Sequence, residues 1–212
     1  MRVSDRPTPI SLSICTLAAL TACGSSEEER PPPAYPFATF AEGQATGTGL
    51  VMGLDPTETL VSNMPESGSA RYDGLVYIDP QTGGGADVAG QDVIGTMRLN
   101  VDFGDGDVDG DVTNVVREDD VALPGRLTID NGGITALGGG GGATAGISAD
   151  LGGVLADGTP NRYLVDGIIV GTFQGDDPDA LYGSFSGDVF IGNSGVVPLY
   201  SGSEGEWVAI QQ

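Results

Sequence analysis

Along residues 93–103, VIGTMRLNVDF, every second position is apolar or glycine. Gly95, Met97, Leu99, Val101 and Phe103 share one phase, and Thr96, Arg98, Asn100 and Asp102 share the other. Successive side chains of a strand point to opposite faces, so this period of two predicts a half-buried strand. Residues 107–116, DVDGDVTNVV, keep the pattern, with Val108, Gly110, Val112 and Asn114 in phase. Gly104-Asp105-Gly106 lies between the two runs and reads as the turn of a hairpin. Runs of the same kind follow one another at 70–79, 125–137, 143–155, 161–175, 180–191 and 205–211. Within 125–137, Asn131-Gly132 sits between Thr/Ile runs; both residues tolerate positive φ, which predicts a second hairpin there. The pattern gives eight or nine strands and no helix.

Glycine, at 36 residues, recurs inside these strands, where it marks bends or bulges at which a sheet curls shut. Sequential hairpins in this number predict an all-β fold, a single eight-stranded up-and-down antiparallel β-barrel whose interior is filled by side chains. Aromatic residues are only 6% of the chain, and the strand faces opposite the apolar ones carry Arg, Asn and Asp. A barrel sitting in a bilayer needs an apolar outer band with aromatic girdles, so the barrel is expected to be soluble. The glycine run 138–142 has neither a lysine nor a helix pattern after it and reads as a loop rather than a phosphate cradle.

The charge is lopsided, with 30 acids against 8 cations and a net charge of −22. All the cations are arginine. Such a chain repels phosphate, so nucleic acid is not expected as a partner; the acidity suits either a salty habitat or a cationic partner. Histidine is absent, which removes the commonest general base and transition-metal ligand. The only cysteines are Cys15 and Cys23, so the body of the chain has no disulfide or thiol chemistry.

Both cysteines belong to the N-terminal stretch. Arg2 and Arg6 precede an apolar run over 10–22, too short to span a bilayer but suited to a secretory signal. It ends in Leu20-Thr21-Ala22-Cys23, which resembles a bacterial lipobox; the resemblance implies a signal peptide over 1–22 and lipidation, including palmitate, at Cys23. Gly24 and Ser25 stand where an inner-membrane retention signal carries Asp, which points to the outer membrane, facing the periplasm or the cell surface. SSEEERPPPAYP cannot pack and makes 23–43 a flexible acidic, proline-rich tether before a barrel domain over 44–212. Loss of 1–22 removes one acid and two arginines and leaves a net charge of −23.

GTFQGDDPDALYGSFSGDVF (171–190) resembles the Gly-x-Phe-x-Gly, Pro-x-Ala, Gly-x-Phe-x-Gly pattern that closes the barrels of transferrin-binding protein B and related surface lipoproteins. Here Gly171, Phe173, Gly175, Pro178, Ala180, Gly183, Phe185 and Gly187 carry it. GTMRLNVDFGDGDVDGDVTNV (95–115) is similar to that family's strand–turn–strand unit. The resemblance covers about 70–212 and implies a barrel on the outer membrane that captures a protein, or has no ligand. Members bind host iron proteins, haem or complement regulators. This chain departs from them: it has one barrel, little room for a handle domain, and EWVAIQQ where the family ends in FGA. Transferrin binding therefore does not carry over, and haem capture through histidine is impossible.

The expected function is that of a non-catalytic surface binding or structural module, a monomer with no cofactor and an unidentified protein ligand. No acid pair stands out as a hydrolase pair, and no nucleophile–base pair can be named. The alternative is a calcium-binding or calcium-stabilised protein using the acidic turn 102–111, since Asp105, Asp107, Asp109 and Asp111 have the opening spacing of an EF-hand loop. The twelfth position, where a bidentate Glu would close that loop, is Val116. On a strand, alternate residues lie ~7 Å apart, too far to gather round one ion at ~2.4 Å. Asp107, Asp109 and Asp111 therefore read as a solvated outer stripe. Asp102 and Asp105 at the turn stay as weak metal candidates, as does the tip Asp176-Asp177-Pro178-Asp179.

Overall fold

The structure is a computed structural model that describes residues 34–81, 90–138, 142–156, 158, 162–192 and 199–212. The elements run α1 (Phe40–Gly53), β1 (Ser69–Asp79), β2 (Val93–Asp102), β3 (Asp107–Arg117), β4 (Ala122–Leu123), β5 (Gly125–Leu137), β6 (Thr144–Ala156), β7 (Arg162–Gln174), β8 (Ala180–Gly192) and β9 (Leu199–Gln211). All pairings are antiparallel. β1 joins both β2 and β9, β3 joins β2 and β5, and β5 to β9 pair in succession, closing eight strands into an up-and-down barrel. β4 is a two-residue extra strand on the end of β3. The expected fold is met. No helix among the described residues is long and apolar enough to cross a membrane.

The alternation read in β2 is the inside and outside of this barrel. Met97, Leu99 and Val101 are buried in the central core with Tyr72, Tyr163, Phe173, Phe185 and Trp207. Several of these rings lie over strand glycines. A Cβ on Gly171 or Gly183 would come within 2.8 Å of the Trp207 indole, and one on Gly167 within 2.6 Å of the Phe185 ring. The interior glycines are the space the rings occupy.

Asn131-Gly132 does not turn the chain. β5 runs straight through it as a 13-residue strand, and the pair forms a bulge on which register slips between Asp130 and Gly133. Asn131 has φ 50°, the left-handed conformation its type tolerates. A bulge uses that tolerance as readily as a turn does. Gly132 approaches β3 so closely that a Cβ would lie 2.4 Å from the Val108 carbonyl oxygen. A second bulge at Asn114, φ 50°, breaks the phase expected of β3: Val115 turns inward and Val116 outward.

The helix was not expected. Thr39 caps α1 as half of a capping box, accepting from the Glu42 amide while the Glu42 carboxylate accepts from the Thr39 amide. Gly43 and Gly47, one turn apart, face the wall and let the helix lie close: a Cβ on Gly43 would sit 2.9 Å from Ile94. Phe37 and Phe40 bury against Leu75, Ile94 and Val116 on the outside of the barrel. Within the stretch 23–43 read as a tether, Phe37 and Phe40 are two aromatic anchors held on the wall. Residues 23–33 lie outside the described residues.

Candidate functional site

With the barrel filled, the sites left for a ligand are the outer wall and the loops. On the wall, the segment leading into α1 is fastened at three points. Thr96 Oγ1 donates to the Tyr35 carbonyl at 3.2 Å, Asn114 Nδ2 to the Phe37 carbonyl at 3.1 Å, and the Phe40 amide to Asp120 Oδ1 at 2.9 Å. The bulge at Asn114 and the left-handed Asp120, φ 65°, aim two of these groups outward. Phe40 then packs on Tyr77 with ring centroids 6.2 Å apart, and the Tyr77 hydroxyl donates to Asp92.

Past this anchored first half, α1 and the wall enclose a groove of about 470 Å³. Val51 and Met52 form its helix side, and Leu75, Tyr77, Ile94, Val208 and Tyr182 its wall side, with Glu206 at the edge. Val51 is 40% exposed, and Met52, at 82%, is the most exposed large apolar side chain among the described residues. Strand parity sets the wall: Trp207 points into the barrel, so its neighbours Glu206 and Val208 on β9 point out. Tyr182 and Glu206 meet at this edge; burial first, then the charge of Glu206, raises the Tyr182 phenol above its ordinary value. A shallower trough of about 300 Å³ continues from the same Tyr182 and Glu206 over Val170, Thr172 and Ser184.

Beside the groove, the wall carries a row of charges. Asp73, its side chain 2% exposed, meets Arg98 Nε at 2.8 Å and Arg71 Nε at 3.3 Å. Arg98 is in register with Asp111, which has Arg126 Nε at 3.9 Å. This corrects the stripe read at 107–111. Asp107 and Asp109 are exposed, but Asp111, at 6%, is buried between arginines of neighbouring strands. The distinction depends on register, which the single strand does not show.

Asp102 and Asp105 are brought together at the β2–β3 turn, where Asp102 Oδ1 accepts from the Gly104 amide at 2.8 Å and the Asp105 amide at 3.2 Å. That carboxylate shapes the turn. Among the described residues no three acids, cysteines or histidines gather as a metal cluster. At the second acidic tip the backbone does the work: Gly175, φ 95°, donates to Thr57 and accepts from Thr59 Oγ1, and the Pro178 carbonyl accepts from Tyr72 at 2.6 Å. Of the Gly/Phe motif, Phe173 packs against Tyr72 and Phe103, Phe185 covers Gly167 and Gly187, and Gly171 and Gly183 seat Trp207. Ala180 is buried beside the same turn. Cys23 lies outside the described residues.

The groove residues were not foreseen. Thr39-x-x-Glu42 was the available signal for the helix, hidden by glycines at 43, 47, 49 and 53 that lower helix propensity. No protein-family profile and no curated protein matches the chain. Among solved structures it is similar to transferrin binding protein B from Haemophilus parasuis Hp5, a vaccine antigen crystallised as a tryptophan-to-alanine mutant, with 17% identity and a TM-score of 0.44. The match covers 73% of this chain and 28% of that one, so the chain spans little over a quarter of that protein's length. Nothing about this chain's ligand follows from that likeness.

Proposed function

We propose that this chain is a non-catalytic binding module, lipid-anchored through Cys23 to an outer membrane, that presents its barrel wall to a protein partner. The observation that carries the binding reading is the contrast between a packed interior and an open outer groove. Trp207, Tyr72, Tyr163, Phe173 and Phe185 fill the space in which a hollow barrel would hold a small ligand, while Val51 and Met52 stand exposed outside. The lipobox and the Gly/Phe pattern of 171–190 support the anchored surface setting. The module acts as a monomer, without cofactor or nucleic acid.

Fractionation tests the anchor. Cys23→Ser should move the protein from the membrane to the soluble fraction; retention of the variant on membranes at high salt contradicts lipid anchoring. Protease shaving of intact cells then reports which side of the membrane the barrel faces.

A further inference from the structure

We propose that the groove between α1 and the barrel wall, with its continuation across Tyr182 and Glu206, is a docking site for an extended basic, apolar peptide segment of a partner protein. The inference rests on reading the chain as a binding module and adds the chemistry of what it binds.

The shape argues for an extended occupant. The deep part holds about 470 Å³ and the shallow part about 300 Å³, and they meet at Tyr182 and Glu206, so together they run across the neighbouring strands β1, β9, β8 and β7. A compact ligand would fill only the first. A strand-like segment of a few residues would place apolar side chains between Met52, Val51 and Val208 and continue over Val170 and Thr172. Its backbone would find hydroxyl partners at Thr48, Tyr182 and Ser184.

The charge argues for a basic one. Among the described residues Glu206 is the only charged one lining either part, and it is exposed. The last turn of α1, beside Val51 and Met52, carries no basic residue, so the negative end of the helix dipole is left for a ligand cation to complement. The whole chain, at −22 and without lysine, attracts cations at long range. Tyr77 and Tyr182 add aromatic surface on which a guanidinium can stack.

The test uses the purified protein and two fluorescein-labelled octapeptides, one alternating Leu and Arg, the other Leu and Glu, read by anisotropy and by amide shift mapping. The Leu/Arg peptide should bind and shift amides of residues 47–52, 75–77, 182–184 and 206–208, and the Leu/Glu peptide should not. Glu206→Gln should weaken binding roughly tenfold or more, the size of one charge-assisted contact, and Met52→Ser, which removes apolar contact without adding charge, should weaken it several-fold. Asp107→Asn, an exposed acid on β3, should leave it unchanged. Equal weakening by Asp107→Asn and Glu206→Gln would reduce the binding to general charge attraction and overturn the docking site. So would shifts confined to other residues, equal binding of the Leu/Glu peptide, or no binding. These outcomes are independent of membrane release on Cys23→Ser, so the docking site and the anchor can fail separately.

Discussion

At Asp73 a carboxylate sits nearly out of solvent between Arg98 and Arg71, on the outer wall rather than in the barrel's core. Two opposed effects meet there: burial penalises the charges, and the geometry repays it while all partners are present. Removing only Asp73 leaves Arg98, 13% exposed, facing an emptied site. We expect Asp73→Ala to cost about 3 kcal/mol in urea unfolding. The apolar double replacement Asp73→Leu with Arg98→Met should recover only part of that loss, because it removes both desolvation penalties but leaves buried Asp111 with Arg126 alone among its arginines. A single and a double variant equally destabilised would show that the row acts through packing alone. In the sequence, the phase of β2 placed Arg98 opposite the apolar face, but its partner 25 positions away depended on register.

Among the elements, β5 shows how one local preference serves two outcomes. Asn131 and Gly132 announce positive φ, and the choice between turn and bulge was made by the strands on either side. β3 and β6 both pair with β5 on each side of the pair, so the chain continues. Asn131→Gly should be nearly neutral in stability, whereas Asn131→Val should cost about 1–2 kcal/mol, since a β-branched residue resists the left-handed region. Coincident urea midpoints for the two variants would contradict the bulge geometry. The helix α1 makes the complementary point. Its capping box was present in the sequence, yet its glycines make it a poor helix alone. The wall supplies what propensity does not, through the aromatic anchors Phe37 and Phe40 and the close seat at Gly43.

For the barrel as a whole, stability comes from a continuous filled core and closed hydrogen bonding, with its carboxylates distributed over the outside. Asp102 is engaged in its own turn, and the acids of β3 are divided between solvent and arginine partners. Thermal unfolding with and without millimolar calcium should therefore give the same midpoint. A rise of several degrees in calcium would reveal a site that binds the folded state.

The sequence by itself determined the fold class, because period-two alternation, turn glycines and the absence of long helical patterns are local and repeated in every strand. It also fixed the inside and outside of β2 and the position of the β2–β3 turn. Only the tertiary structure decided which strand each strand meets, and with that the burial of Asp111, the bulge at Asn131 and the seat of Trp207 over Gly171 and Gly183. It also decided that a glycine-rich segment before the first strand folds as a helix and leaves a groove beside it. Alternation is a property of one strand, whereas register, burial on an outer wall and the shape of a groove are properties of neighbours far apart in the chain.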